Sequence, residues 1–485
     1  MEACNCADFV LLDANPLDDI RNNAHLVAIY HGGKRIDPAF ESEPRALRIA
    51  LTPDEEANQN AAGSFMKRTL TLCIAAISIA PTLLLADNWP QWRGPQRDGI
   101  SHETGLIAEW PKEGPKLLWE VSNIGRGYST PAVVDGRLYL MESEGLENES
   151  VMALDARDGK RIWSTRLGNV GSPRQQPNFP TARSTPTLEG DLLYAQSSDG
   201  DVACLDVKTG KVRWKKNIRN DYGGKTAEWA YAESPLIDGD TLVCAPGGSA
   251  ATVIALRAST GDLIWKCPLP EADDAGFSSA IVVEVGGIRE YVRLLTKGLV
   301  GIEASTGRLL WRYSKPISKF GANIQTPVTS GDYIFCSSTG TGAGVVKLKV
   351  EGKQVAAEQV YFSPAYPTAI GGVVKVGDYL YGATSEVLLC VEFTTGQIKW
   401  KERALGAASL CYADGRLYLH GENGEIALAE VSPEGYCEKG RFTPPDQPQR
   451  INDMEKAWAY PVVADGRLYI RDNNILWCYA VGSVK

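Results

Sequence analysis

The stretch ALDARDGKRIW, residues 153–163, contains the pattern that decides the fold of this chain. A small residue is followed by an acidic residue two positions later, a turn Gly six positions later and a Trp ten positions later. The Gly suits a left-handed backbone position and the Trp begins a strand, so the pattern predicts a hairpin. The same spacing, with Arg replacing the acidic residue once, recurs in stretches that end at Trp214, Trp265, Trp311 and Trp400.

A second pattern consists of apolar residues, a turn Gly and an alternating strand, as in VDGRLY at residues 134–139. The turn glycines of its eight copies are Gly136, Gly190, Gly239, Gly287, Gly331, Gly377, Gly415 and Gly466. They lie 38 to 54 residues apart, and each interval fits one four-stranded blade. The sequence therefore predicts an all-β fold over residues 114–485, an eight-bladed β-propeller of four-stranded antiparallel blades.

The last of these units has room for only three strands, so the ring needs one more strand from elsewhere in the chain. The segment KLLWEV, residues 116–121, reads as an early strand without a partner of its own, and it carries Trp119. We therefore predict that residues 114–121 complete the eighth blade, which joins the two ends of the chain and leaves no long exposed edge. Blades five, seven and eight lack the full Trp pattern.

The Trp pattern resembles the tryptophan-docking motif of pyrroloquinoline-quinone (PQQ) dehydrogenases and of outer-membrane assembly propellers. The residues at the Trp position of the repeat are Trp119, Trp163, Trp214, Trp265, Trp311 and Trp400. The resemblance covers nearly all of the chain from Trp89 onward, which is similar to secreted bacterial PQQ-repeat-like propellers. It implies a binding or scaffolding module. The alternative that it implies is an alcohol or sugar dehydrogenase that depends on PQQ and calcium.

The N-terminal part of the chain has a different organisation. Residues 66–86 begin with Met, Lys and Arg, continue as an apolar run and end at Ala86, which is the layout of a signal peptide. We therefore predict export to the periplasm or the medium, and we interpret residues 1–65 as a stray extension. Residues 7–35 resemble a C-terminal fragment of metal-dependent amidohydrolases, without any of that family's metal ligands. Residues 87–113 are interpreted as a strap on the propeller, with a partner-binding anchor as the alternative.

Composition narrows the classes of function. The net charge of −9 opposes binding to nucleic acid, which requires a clustered basic surface. Quinoprotein dehydrogenases often have a disulfide between adjacent cysteines, and a Cys-x-x-Cys-His motif attaches a c-type haem. This sequence contains neither an adjacent pair of cysteines nor that motif. We therefore expect no catalytic residue, metal site or cofactor, and PQQ with calcium belongs to the alternative interpretation. Disulfide pairing among the eight cysteines after the predicted signal peptide stays open.

Candidate ligand-binding residues come just before the innermost strands, where a propeller forms one mouth of its central channel. They are Arg126, Tyr128, Arg183, Glu228, Trp229, Tyr231, Asn323, Gln325, Trp458 and Tyr460. Polar side chains mixed with aromatic rings suit a small polar or planar ligand. The expected partners are such a ligand or an unidentified envelope protein. The mature chain is expected to be a monomer without a membrane span.

Overall fold

The computed structural model describes residues 9–12, 26–31, 34–36, 88–171, 182–318 and 323–483. The chain divides into two compact units, Met1–Thr82 and Leu83–Lys485. The first unit contains an antiparallel sheet in the order β1-β2-β3. Its strands are β1 (Phe9–Leu12), β2 (Leu26–His31) and β3 (Lys34–Ile36). The predicted signal peptide, residues 66–86, lies outside the described residues.

The second unit consists of four-stranded antiparallel sheets, which are the blades. Its first strand is β4 (Lys116–Ser122). Blade 1 contains β5 (Ala132–Val134), β6 (Arg137–Glu144), β7 (Asn148–Asp155) and β8 (Arg161–Gly168). Blade 2 contains β9 (Thr187–Glu189), β10 (Leu192–Gln196), β11 (Asp201–Asp206) and β12 (Val212–Asn217). Blade 3 contains β13 (Leu236–Asp238), β14 (Thr241–Cys244), β15 (Val253–Arg257) and β16 (Leu263–Cys267). Blade 4 contains β17 (Ile281–Val285), β18 (Ile288–Leu295), β19 (Gly298–Glu303) and β20 (Leu309–Tyr313).

The remaining blades repeat this order. Blade 5 contains β21 (Val328–Ser330), β22 (Tyr333–Ser338), β23 (Gly342–Glu351) and β24 (Gln354–Ser363). Blade 6 contains β25 (Val373–Val376), β26 (Tyr379–Ala383), β27 (Leu388–Glu392) and β28 (Ile398–Glu402). Blade 7 contains β29 (Ala408–Ala413), β30 (Arg416–Gly421), β31 (Ile426–Glu430) and β32 (Cys437–Phe442). Blade 8 contains β33 (Val462–Ala464), β34 (Arg467–Asp472) and β35 (Ile475–Ala480), and its fourth strand is β4.

The early strand β4 therefore closes the ring, because it pairs antiparallel with β35 and places Trp119 opposite Cys478. The indole Nε1 of Trp119 donates a hydrogen bond to Ala156 O in blade 1, at 2.9 Å. The fold is the predicted eight-bladed β-propeller of four-stranded antiparallel blades.

Helix contributes little to the described residues. Helix α1 (Ile218–Tyr222) connects blades 2 and 3, and the side chain of Asn217 caps its N-terminus. Within the described ranges, no helix has both the length and the apolar character needed to cross a bilayer. The eight described cysteines are all free thiols, and seven of them are buried.

Successive blades are joined by the tryptophans of the repeat. The indole of Trp163 in blade 1 donates to Val207 O in blade 2, at 3.2 Å. Its ring lies against the turn Gly of blade 2, where a Cβ at Gly210 would come within 2.6 Å of Trp163 Cε3. Trp214, Trp265 and Trp400 donate in the same way to the next blade, to Ala258, Ala304 and Ser432 carbonyls at 2.8 to 3.0 Å. Each contact combines apolar burial with a satisfied indole N–H.

Residues 88–101, here called the plug segment, do not lie along the outside of the ring. Backbone bonds join Trp89 to Val133 in blade 1 and Ser101 to Tyr412 in blade 7, and Pro90 O accepts from Leu188 N in blade 2. Side chains of the same segment reach blades 3, 5 and 6. These partners belong to, or directly precede, the innermost strands of six blades, so the plug segment lies at the propeller axis. The predicted strap is thus a plug in the central channel.

The chain then leaves the axis along blades 7 and 8. Ile107 N donates to Val481 O and Trp110 N donates to Lys439 O, both at 2.7 Å. The segment enters β4 shortly afterwards, on the outer side of blade 8. One continuous stretch therefore plugs the channel and closes the ring.

Candidate functional site

A cavity of about 230 Å³ opens where the chain enters the innermost strands. Seven blades and the plug segment contribute to it. The lining residues are Trp92, Tyr128, Arg183, Trp229, Ala232, Ser234, Phe277, Ser279, Ile324, Ile370, Trp458 and Tyr460. We call it the aromatic cavity, because six of these twelve side chains carry aromatic rings. It is a blind pocket, since the plug segment supplies its floor.

The aromatic rings hold one another in tilted and edge-on pairs. Trp92 meets Tyr460 with ring centroids 4.6 Å apart and an interplanar angle of 70°. Tyr128 meets Trp458 at 4.9 Å, and Trp229 meets Phe277 at 5.8 Å. Trp92 is fixed further by its indole N–H, which donates to Thr326 Oγ1 at 2.8 Å. Fixed rings around a narrow space form walls that suit a planar group.

Arg183 is the charged residue among the lining side chains of the aromatic cavity. Its Nη1 donates to Trp229 O at 2.7 Å, which holds the guanidinium against the loop before blade 3. Burial lowers the pKa of Arg183, while Tyr128 and Glu149 act in the opposite direction. Burial also raises the pKa of the Glu149 carboxyl to about 8, against the opposing effect of the hydrogen bonds that it accepts from Ser198. Arg183 therefore makes the cavity attractive to an anion.

The hydroxyl of Tyr128 is buried at the cavity wall. Among the described residues, it has no hydrogen-bond partner. Burial raises the pKa of Tyr128, so the hydroxyl stays protonated and keeps a proton to donate. A buried hydroxyl without a partner costs about 1–3 kcal/mol, and a ligand oxygen at this position would recover that cost.

Two arginines of the plug segment lie behind the cavity wall without lining it, in contact with the lining residues Ser234 and Tyr460. Arg93 and Arg97 of the plug segment are each 2 % exposed. Arg97 donates to the carbonyls of Ser234 and Pro235, and burial lowers its pKa to about 9, against the opposing effect of Glu233. The Arg93 guanidinium lies 5.6 Å from the Tyr460 ring centroid. Most of the hydrogen bonds of these two side chains go to uncharged carbonyl oxygens, so two positive charges are buried behind the cavity.

The structure brings half of the ten predicted ligand-binding residues together in the aromatic cavity. These five are Tyr128, Arg183, Trp229, Trp458 and Tyr460.

The other five have different surroundings. Glu228 is exposed outside the cavity, and Tyr231 is buried in the core of blades 2 and 3, where its hydroxyl donates to Pro246 O. Asn323 is buried and donates to Leu295 O and Pro316 O, so it braces the chain before β21. Gln325 is buried and donates to Ala369 O. Arg126 pairs with Glu455 at 2.5 Å and lines a neighbouring polar groove.

Trp92 is the principal cavity residue that the sequence interpretation missed. It is 234 positions from its hydrogen-bond partner Thr326, and nothing in the strap shows that the segment enters the channel. The available signal was a pair of tryptophans, Trp89 and Trp92, in a segment without strand periodicity. Two large aromatic side chains in a short irregular segment are expected to be buried against another part of the protein.

The cavity residues do not match a calcium-dependent quinone site. Ca²⁺ takes six to eight oxygen ligands, several of them carboxylates. The described lining of the aromatic cavity includes no Asp, Glu or Asn, and its one charged group is a cation. Across the described residues, no group of three or more His, Cys, Asp or Glu is placed to hold a metal ion. The aromatic walls alone suit a planar quinone.

Parts of this chain are similar in sequence to known proteins. It is 24 % identical over 239 residues to an outer membrane protein assembly factor, BamB, of Shewanella oneidensis, covering 48 % of this chain and 54 % of that protein. It is 26 % identical over 254 residues to the dehydrogenase subunit of a quinone alcohol dehydrogenase of Gluconacetobacter polyoxogenes, covering 45 % and 33 %. The chain thus spans about half the length of the first relative and a third of the second.

The similarity extends to a solved structure and to a protein family. The crystal structure of BamB from Moraxella catarrhalis superposes with a TM-score of 0.51 at 12 % identity, over 76 % of this chain and 99 % of that one, which shows a shared fold. A family model described as outer membrane protein assembly factor BamB matches residues 100–252 and 225–402, which together exceed half of the chain. The chain therefore belongs to this PQQ-repeat family of β-propellers.

Proposed function

We propose that this chain is an extracytoplasmic binding module whose aromatic cavity holds a small planar anion. The observation that carries the proposal is the combination of aromatic walls, the Arg183 guanidinium and the unpartnered Tyr128 hydroxyl in one blind pocket. Drug-sized ligands occupy pockets of roughly 300–1,000 Å³. A cavity of about 230 Å³ favours a ligand of one or two rings.

Each wall element has a separate role in this proposal. The rings of Trp229 and Trp458 stack on the ligand plane, while Trp92 limits its depth. Arg183 pairs with a carboxylate at the mouth, since a guanidinium matches a carboxylate with two parallel hydrogen bonds. Tyr128 donates to a second ligand oxygen. No bond to the ligand is made or broken, so the role is binding.

Fluorescence titration of the purified full-length mature protein tests this function. The tryptophans of the cavity report occupancy, and the probes are benzoate, indole-3-carboxylate and their uncharged amides. We expect the carboxylates to bind at least ten-fold more tightly than the amides. Arg183→Met should abolish that preference, and Tyr128→Phe should weaken carboxylate binding by up to about ten-fold.

Arg166→Met is the matched control, because Arg166 is an exposed arginine of blade 1 whose contacts lie on the surface. It should leave both affinities unchanged. Equal affinity for carboxylates and amides, or unaltered binding by the Arg183 variant, would remove the proposal.

A quinone-dependent dehydrogenase is the second candidate, supported by the quinone alcohol dehydrogenase relative and by the aromatic walls. Purified protein is mixed with PQQ, with and without calcium, and its absorption spectrum and dye reduction with alcohols are recorded. A bound chromophore with dye reduction would establish this candidate. The lining offers no carboxylate for the metal, so we expect calcium to change neither measurement.

The extracytoplasmic location rests on residues 66–86 and on the outer-membrane assembly factors among the relatives. We expect a mature N-terminus after Ala86, which N-terminal sequencing of the purified protein detects. A mature chain that retains residues 1–65 would contradict this part of the proposal. The same relatives support a scaffolding role for an envelope protein, with the propeller itself a monomer.

A further inference from the structure

A second concave site lies between blades 8 and 1, beside the aromatic cavity. It has a volume of about 910 Å³, and we call it the polar groove. Five segments form it: residues 123–126 before β5, 142–145 at the end of β6, Arg161 at the start of β8, the loop 447–451 between blades 7 and 8, and 474–475 at the start of β35. Its lining is rich in side-chain amides, arginines and glutamates. The groove is therefore wide and polar, and its chemistry differs from that of the aromatic cavity.

The most exposed large apolar side chains of the described residues are on the loops that flank this groove. They are Leu146, Met454 and Ile451, at 73 %, 56 % and 55 % exposure, whereas the next most exposed reach 42 %. Ile451 lines the groove itself, and Leu146 directly follows the lining residue Gly145. Exposed apolar side chains grouped at the rim of a polar depression mark interaction sites.

These side chains are held in place by contacts beneath them. Glu455 is 1 % exposed, pairs with Arg126 at 2.5 Å and accepts from Ile451 N at 2.7 Å. Arg450 makes a two-pronged contact with the carboxylate of Asp472. Because these contacts already order the loop, binding of a partner costs little additional conformational entropy.

The turn on the opposite side is braced as well. Leu146 O accepts from Val170 N at 2.9 Å, and Arg166 donates to Glu147 O. Leu146 therefore belongs to a fixed turn of blade 1, directly after the lining residue Gly145.

We infer that the polar groove binds an extended peptide segment of a partner protein, with bulky apolar side chains of that segment packed on Leu146, Ile451 and Met454. The amides of Asn123, Gln447, Gln449 and Asn474 line the groove, and each both donates and accepts, as the peptide backbone does. Glu142 and Glu144 stand beside three arginines, so the lining favours a chain of mixed charge over a polyanion. This inference deepens the scaffolding role and is independent of the ligand in the aromatic cavity.

A peptide library tests the inference on the full mature protein. Random heptapeptides are selected on the immobilised protein, resynthesised with fluorescein and measured by fluorescence anisotropy. We expect the selected peptides to carry bulky apolar residues at alternate positions. The double variant Ile451→Ser/Met454→Ser and the single variant Leu146→Ser should each weaken binding at least ten-fold. Hydrogen exchange should slow at residues 145–147 and 447–455 when the peptide binds.

Leu263→Ser/Ile398→Ser is the matched control, because both side chains are exposed on outer strands away from the groove, at 41 % and 37 %. It should bind the peptides as the parent protein does, and thermal melts should show that all variants are folded. Equal binding by the groove variants would overturn the groove assignment while leaving a scaffolding role elsewhere. Selection of no peptide, or occupation of the groove by neutral oligosaccharides instead, would overturn the peptide occupant. Titration of the same variants with benzoate measures binding in the aromatic cavity separately.

Discussion

The interface between blades 1 and 2 and the interface between blades 4 and 5 use the same residue in different ways. Trp163 donates across to Val207 O in the next blade and lies on its turn Gly. Trp311 occupies the same position of the repeat, yet its indole donates at 2.7 Å to Glu290 Oε2 within its own blade. Blade 5 lacks the docking hairpin, and its long strands β23 and β24 pack against blade 4 instead. Docking therefore depends on the blade that receives the Trp as much as on the blade that carries it.

At two other irregular interfaces, aromatic rings from outside the Trp pattern pack between the blades. In blade 5, the hydroxyl of Tyr361 donates to Phe393 O at 2.9 Å, and its ring lies on Gly396 of blade 6. Beside the outer strand of blade 7, Trp110 packs on Phe442, with ring centroids 5.4 Å apart. Neither ring belongs to a copy of the Trp pattern.

Removal of the closing strand should produce the largest effect. We expect a chain that begins at Asn123 to melt at least roughly 10 °C below a chain that begins at Lys116, because blade 8 loses its outer strand and the ring opens. Both chains lack the plug segment, so the difference isolates β4. Differential scanning calorimetry measures both transitions. Coincident transitions would show that closure by β4 contributes little.

Truncation of a regular docking residue should come next. Trp163→Ala should lower the free energy of unfolding by about 3–5 kcal/mol, because it removes a ring packed on Gly210 together with the bond between blades. Its neighbour Ile162 is 42 % exposed, and Ile162→Ala serves as the control, with an expected loss below about 1 kcal/mol. Urea denaturation measures both. Similar losses in the two variants would contradict the importance of docking.

The irregular interface should differ from the regular ones in its response to pH. Burial raises the pKa of Glu290 to about 7 from its usual 4.5, against the opposing effect of its bond from Trp311. The folded state therefore holds a proton that the unfolded state releases, so stability should fall as pH rises from 4.5 through 7, by up to about 3 kcal/mol.

Glu290→Gln tests this difference, because the amide oxygen still accepts from Trp311 but the side chain cannot ionise. Its denaturant midpoint should decline less between pH 4.5 and 8 than that of the parent protein. Glu147→Gln is the control, because it replaces an exposed glutamate of blade 1 and should leave the pH profile unchanged. Parallel pH profiles for the parent protein and Glu290→Gln would contradict the assignment.

The smallest effect belongs to the Tyr that replaces a docking Trp. Tyr361→Phe keeps the ring on Gly396 and removes only the hydrogen bond to Phe393 O, so it should cost about 1 kcal/mol. Tyr361→Ala should cost several-fold more in the same urea titration. If the Phe variant lost as much stability as the Ala variant, the hydroxyl rather than the ring would hold blades 5 and 6 together.

The repeat was readable from the sequence because its signals are local. A turn Gly and a docking Trp lie within one hairpin, so their spacing predicted blades and strand order, and the unpaired KLLWEV segment predicted how the ring closes. The aromatic cavity was only partly predictable, since each blade contributes one or two side chains at the channel mouth. Tyr128 and Arg183 line the cavity, whereas Tyr231 and Asn323 turn into the core from equivalent loops.

The sequence by itself determined the eight blades, the four-stranded repeat and five of its six repeat tryptophans as docking residues, because these follow from residues within one blade. Tertiary structure alone decided that residues 88–101 plug the channel, that Trp92 forms the cavity floor and that Trp311 bonds to Glu290. The physical reason is that ring closure brings together residues that are hundreds of positions apart, such as Trp92 and Thr326. No pattern confined to one hairpin carries information about the space left at the axis.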